Sequence, residues 1–206
     1  MFRRSGASAT LATALFAAAA ALVLTASSTA TAAVTAPGFI SGTDLPPHPS
    51  SPWYAGKVTK GLPETAPFCL EGALPAAGSW HRSFGTDVDA GAVQVSVRAA
   101  SDAAAVKLAA ALKRKVAACA SDWLRTTPGG TASWQDYGKL SVEEGAHVYG
   151  VHTSIPESEP GVALFGIGRD GSTVTVVKWS QMGYLTDAPV PAFRKTTTKA
   201  VNKLNP

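Results

Sequence analysis

The chain has 206 residues, of which 46% are hydrophobic and 16% are charged, with 18 Lys and Arg against 14 Asp and Glu. This composition excludes global disorder, because enough apolar material is present to build a core, and it argues against a coiled coil. The length suits one main domain. Two cysteines and four histidines leave little material for a metal site, so we expect neither a metal nor a cofactor.

The N-terminus has the three-part pattern of a secretory signal peptide, which we assign to residues 1–32. Arg3 and Arg4 precede an uncharged apolar run over 11–25, and small residues end in Ala30-Thr31-Ala32. The run is shorter than the roughly 20 residues of a membrane span, which favours cleavage over an anchor. Cleavage lowers the net charge from +4 to +2, because both arginines are lost. We therefore expect a secreted, extracellular protein with no stable membrane anchor and no nucleic-acid partner.

Residues 33–64 are rich in Pro, Gly, Ser and Thr and include the run Pro46-Pro47-His48-Pro49. This composition predicts a flexible or extended tether with no core of its own. Trp53 and Tyr54 mark the point where we expect the chain first to touch the domain that follows.

Residues 65–206 are predicted to form a single α+β domain. From residue 79 onward the apolar patterns predict the order β-β-α-β-β-β-β-α. The strands are expected at 79–85, 93–97, 134–142, 146–155, 162–168 and 173–181, and the helices at 101–124 and 190–204. Hairpins dominate and no βαβ alternation occurs. We therefore expect an antiparallel sheet of about five to six strands with two main helices packed on one face.

Asp170-Gly171 is the strongest short-range hairpin signal in the chain. If these two residues form the turn, Arg169 faces Ser172 and Leu164 faces Val177. Both faces of the hairpin carry apolar residues, so we expect it to be central in the sheet. The Gly-rich run over 166–171 also matches a dinucleotide-binding pattern, but β-branched residues follow it where that site needs a helix. It is therefore interpreted as a turn.

Trp179, Leu164 and Val177 are predicted to form an apolar stripe on one face of the sheet. An aromatic side chain on a partly open face is a candidate ligand-binding surface, to which the neighbouring pair Trp80 and His81 is added. The alternative is that a loop, such as Met182–Pro191, covers the stripe. The sequence leaves both readings open.

Cys69 and Cys119 are the only cysteines. In an exported protein, two cysteines most simply form one disulfide, which here pins an irregular segment onto the main helix. A catalytic thiol at Cys119 is the alternative, and the surrounding alanines argue against it because a reactive thiolate needs a basic partner.

The order and spacing of the elements resemble the PknH-like extracellular sensor domain of actinobacteria. The resemblance covers about residues 65–205 and rests on Val93–Val97, the helix 103–123 with its cysteine, the Gly-rich break after it, and the strand at 171–176. It implies an antiparallel sheet with helices, a cleft thought to bind a ligand, and no catalytic residues.

We therefore expect a secreted, non-catalytic binding or sensor-like domain. Its partner is an unidentified small molecule, cell-wall component or exported protein. One alternative is a secreted hydrolase that uses His81, His147 or His152 beside an acid and a nucleophile. Another is an inhibitor or interaction protein with an exposed loop at 154–160.

Overall fold

A computed structural model describes residues 35–205; the predicted signal peptide at 1–32 lies outside this range. The strands are Tyr54–Ala55 (β1), Thr59–Lys60 (β2), Ser79–Gly85 (β3), Gly91–Arg98 (β4), Thr131–Leu140 (β5), Ala146–Ser154 (β6), Gly161–Asp170 (β7) and Thr173–Met182 (β8). The helices are Asp102–Thr126 (α1) and Val190–Asn202 (α2). This confirms the α+β class.

The eight strands form one antiparallel sheet in the order β1-β3-β4-β8-β7-β6-β5, with β2 also paired to β3. Helix α1 carries the chain from β4 to the far edge. The hairpins that follow bring β8 back beside β4, so β4, β8 and β7 are central. The expected five to six strands were too few, because β1 and β2 are two-residue strands within the stretch assigned to a tether.

Helix α1 begins where the sequence predicts. The Ser101 hydroxyl accepts a hydrogen bond from the backbone N–H of Ala104 at 3.2 Å, which is the usual N-cap contact. Its apolar stripe, which includes Leu112 and Val116, packs with Phe165 and Val176 in one core cluster. We call this side of the sheet the α1 face.

The two helices lie on opposite faces, so the prediction that both pack on one face was wrong. On the second side, here the α2 face, Phe193 of α2 packs with Leu164 and Val177. A Cβ on Gly166 of β7 would collide with the Thr197 side chain of α2, so only glycine permits this close approach. Both faces of β7 and β8 are apolar, and each face therefore needs its own cover.

The β7–β8 hairpin is central as predicted, but its register is two residues away from the expected one. Asp170 pairs with Thr173, and Leu164 pairs with Trp179 rather than with Val177. The turn residues are Gly171-Ser172, and the positive φ of 53° falls on the first of them, as in a type II′ turn. A shift of two residues leaves each side chain on its expected face.

The expectation of a coreless tether at 33–64 was also wrong for the residues that the structure describes. Residues 35–53, here called the strap, lie on the α2 face. Ile40 and Leu45 are buried there beside Phe193. Burying apolar side chains of this size is favourable in free energy, and a flexible tether would leave them exposed to water. Trp53 packs against the same cluster, but the chain already contacts the domain at Ile40, earlier than the expected first contact at Trp53 and Tyr54.

Two polar side chains of β4, Gln94 and Ser96, also lie on the α2 face, and the strap supplies a hydrogen bond to Gln94. Gln94 and Ser96 are 0% exposed. The Gln94 amide donates to Thr175 Oγ1 at 3.1 Å, and its Oε1 accepts from the backbone N–H of Ile40 at 2.9 Å. Burying these groups is tolerated because each finds a hydrogen-bond partner.

The predicted disulfide between Cys69 and Cys119 is confirmed, with the two Cα atoms 5.4 Å apart. It ties the irregular segment before β3 to the C-terminal half of α1. Disulfides are typical of proteins in oxidising compartments. Within residues 35–205, no helix combines the length and the apolarity that a membrane crossing needs.

Candidate functional site

The structure does not present Trp179, Leu164 and Val177 as an open surface. Leu164 and Val177 are fully buried and Trp179 is 2% exposed, so the stripe belongs to the α2-face core. The structure agrees better with the alternative in which the loop after β8 covers the stripe, because Leu185 and Ala188 of that loop pack against this core. The strap and α2 complete the cover.

Trp80 and His81 are not brought together with Trp179. Trp80 is buried on the α2 face. It pairs with Ser96 of β4, whereas Trp179 pairs with Ala92, four residues away along the same strand. His81 points to the opposite face, as strand neighbours must, and its Nδ1 lies 2.9 Å from the carbonyl oxygen of Gly61.

Trp179 nevertheless contributes to the wall of a cavity between the strap and the loop after β8. This space, the Trp179 cavity, has a volume of about 300 Å³, which is at the lower end of small-molecule sites. Its lining residues are Pro46, Pro47, His48, Pro49, Trp53, Asp89, Trp179, Gln181, Asp187 and Pro189.

The titratable groups of the Trp179 cavity are two carboxylates and one histidine. Asp89 accepts a hydrogen bond from the backbone N–H of Met182 at 3.2 Å, and its other oxygen lies 3.7 Å from His48 Nε2. Asp187 accepts from the backbone N–H of Tyr184 at 2.8 Å. The lining therefore contains two carboxylates and no lysine or arginine.

The wall that the strap supplies is held by its own hydrogen bonds. The Trp53 indole donates to the carbonyl of Pro46 at 2.7 Å, which fixes the ring against the Pro-rich turn. The Ser51 hydroxyl and the Tyr54 phenol both donate to Asp87 in the β3–β4 loop, at 3.1 and 2.9 Å. These contacts hold the Trp53 ring and the end of the strap in place beside the β3–β4 loop.

Asp44 of the strap forms ion pairs with two lysines at the C-terminal end of α2. Lys199 and Lys203 place their ammonium groups 3.0 and 2.8 Å from its two oxygens. Burial acts to raise the pKa of Asp44, but hydrogen bonds from Lys203, the Ser41 N–H and Lys199 outweigh it and hold the pKa well below its usual range.

The arrangement that the hydrolase alternative requires is not assembled among residues 35–205. His147 Nε2 lies 2.6 Å from Asp136 Oδ1, but no nucleophile is hydrogen-bonded to that histidine. His152 stacks on Tyr184, and its buried Nε2 has no hydrogen-bond partner. In the same range, no three His, Cys, Asp or Glu side chains are placed to hold a metal ion.

The loop at 154–160, a candidate interaction element, connects β6 and β7 and is exposed at Ile155 and through Glu159. It forms no wall of the Trp179 cavity.

Sequence reasoning named Trp179 but missed Asp89, Asp187 and His48. These residues come from a hairpin loop, the turn after β8 and the strap, and no local spacing connects them. The only signal was the tryptophan at position 53 inside a Pro-rich stretch.

Compared with known proteins, the chain has no significant match among family models, curated proteins or solved structures. The resemblance to the PknH-like sensor domain therefore stays a prediction.

Proposed function

We propose that the protein is exported and acts as a non-catalytic binding module for a small organic cation, held in the Trp179 cavity. The observation that carries this proposal is the joint presence of Trp53, Trp179, Asp89 and Asp187 around one space of about 300 Å³. Export is supported by the signal-peptide pattern at 1–32 and by the disulfide.

The chemistry of the lining favours a cation over a neutral or anionic ligand. Aromatic rings attract quaternary and primary ammonium groups through their negative faces, with about 0.5–2 kcal/mol per contact. Carboxylates add Coulomb attraction, which is stronger at the half-buried Asp89 than at the exposed Asp187. An anion would meet both carboxylates without a compensating lysine or arginine in the lining.

The test uses choline and its uncharged isostere 3,3-dimethylbutanol as probes of the same shape. We expect calorimetric titration of the protein, purified after export, to give a dissociation constant for choline at least tenfold lower than for the alcohol. A tenfold ratio corresponds to about 1.4 kcal/mol. Equal affinities, or no binding of choline at millimolar concentration, would contradict the proposal.

Asp89→Asn and Asp187→Asn remove one charge each while keeping an oxygen that can accept the backbone hydrogen bond. Each is expected to weaken choline binding several-fold and to leave the alcohol unaffected. Glu159→Gln is the matched control, because this exposed residue loses the same charge away from the cavity.

A further inference from the structure

Lys178 is a charged side chain in an apolar part of the α1 face. On the central strand β8 it pairs with Val93 on one side and with Phe165 on the other. Phe68, from the segment held by the disulfide, lies above this part of the sheet beyond the cover of α1. Lys178 is half-buried, and lysines are rarely withdrawn from water without a charged partner.

The ammonium group of Lys178 has one hydrogen-bond partner, the Ser180 hydroxyl at 3.0 Å. Among residues 35–205, no carboxylate lies at salt-bridge distance from it. Desolvation lowers the pKa of Lys178, and the more distant charge of Glu71 offsets only part of this effect.

Two cavities meet at Lys178 and Ser180, one on each side of Phe68. The larger has a volume of about 470 Å³ and extends past Val93, and the smaller has about 140 Å³ and extends past Val151. We refer to the larger one as the Lys178 cavity. Its wall is mainly apolar, with the donor pair of Lys178 and Ser180 at one point and the Glu71 carboxylate at another. Apolar walls with a few polar groups are the usual composition of a site for a small amphipathic ligand.

We propose that the Lys178 cavity is a second binding site, for a small amphipathic organic anion whose carboxylate contacts Lys178 and Ser180 and whose apolar part lies along Val93 and Phe68. Glu71 lies in the same wall but not at salt-bridge distance from Lys178, so a ligand carboxylate adds a charge-assisted hydrogen bond that the protein itself does not supply. The site is on the opposite face of the sheet from the Trp179 cavity, and neither proposal depends on the other.

A structural role for Lys178 and a binding role predict opposite effects on stability. A lysine that stabilises the fold loses that contribution when it is replaced. A desolvated lysine kept for a ligand destabilises the empty protein, so an apolar residue of similar length raises the melting temperature. Lys178→Met makes this comparison, and Lys139→Met is the control, since Lys139 is exposed on β5.

The binding experiment titrates octanoate and octanol, which share one alkyl chain, into wild type and both variants. We expect wild type to bind octanoate at least tenfold more tightly than octanol. Lys178→Met should lose that preference and melt at a higher temperature in the absence of ligand. Lys139→Met should behave as wild type, and Lys178→Met should keep any affinity for choline.

Two results would overturn the assignment. One is equal octanoate affinity in wild type and Lys178→Met. The other is a lower melting temperature of Lys178→Met together with no octanoate binding to wild type at millimolar concentration. Because octanoate and choline probe different cavities, loss of one binding activity leaves the other measurable.

Discussion

Replacing Ile40 by alanine tests whether the strap belongs to the folded core. Ile40 is 0% exposed and packs on the α2 face. The change removes three carbon atoms, whose transfer from water contributes about 0.8 kcal/mol each, and the residual cavity adds to this. We therefore expect the free energy of unfolding to fall by about 3 kcal/mol. For a domain of this size, that corresponds to a melting temperature about 6–12 °C lower.

The assay is urea denaturation, monitored by tryptophan fluorescence. If the dependence of the unfolding free energy on urea concentration (the m-value) is the same in both proteins, a lower midpoint reports a lower stability. Val58→Ala is the control, because Val58 follows the strap closely in the chain but is exposed. Its effect should stay within about 0.5 kcal/mol. If Ile40→Ala also stays within 0.5 kcal/mol of wild type, the strap is not docked on the sheet and the wall of the Trp179 cavity does not exist as described.

Three further changes test other contacts. Replacing both Cys69 and Cys119 by alanine should cost about 4 kcal/mol in unfolding free energy, because the disulfide spans a 50-residue separation; reduction of wild type should give the same loss. Asp44→Asn should cost about 2 kcal/mol at pH 7, since the carboxylate accepts from two lysines. The folded-state pKa of Asp44 is depressed, so this contribution is complete above the unfolded pKa near 4 and is lost as pH falls further; the difference between wild type and Asp44→Asn should narrow below pH 4 in pH-dependent unfolding. Trp179→Ala should cost about 3–5 kcal/mol by urea unfolding, as a buried core residue does.

Each of these has a clear contrary result. A disulfide-free variant as stable as wild type would mean that the segment around Phe68 is held by packing alone. A constant difference between wild type and Asp44→Asn from pH 7 to pH 2 would show that the lysines do not depress the pKa of Asp44. A small loss for Trp179→Ala would place this ring outside the core.

Local patterns predicted the elements well and their packing poorly. Val93, Val95 and Val97 predicted a strand, and the position of Ser101 predicted the start of α1. Both signals are local, because backbone geometry and capping are set by nearby residues. The face that each helix covers depends on partners far away in sequence. Both faces of β7 and β8 carry apolar residues, so both need a packed layer. No local sequence signal shows which helix packs on which face.

The strap shows why composition alone misled. Prolines between 46 and 52 suggested an extended linker, and the chain there is indeed irregular. Two contacts hold the strap on the α2 face. One is the burial of Ile40 and Leu45, and the other is the hydrogen bond from the Ile40 N–H to Gln94. Such a contact across 54 positions leaves no trace in a window of neighbouring residues. The acidic half of the Trp179 cavity was missed for the same reason.

The most direct measurement of the central claim uses the five tryptophans of the chain, at 53, 80, 123, 134 and 179. Each indole N–H gives its own signal in a proton–nitrogen correlation spectrum, and choline is titrated while all five are followed. We predict that the signals of Trp53 and Trp179, which line the cavity, shift in a saturable way, while the other three stay in place. Shifts confined to Trp80, Trp123 or Trp134, or no saturable shift of any signal, would contradict a cation site at the Trp179 cavity.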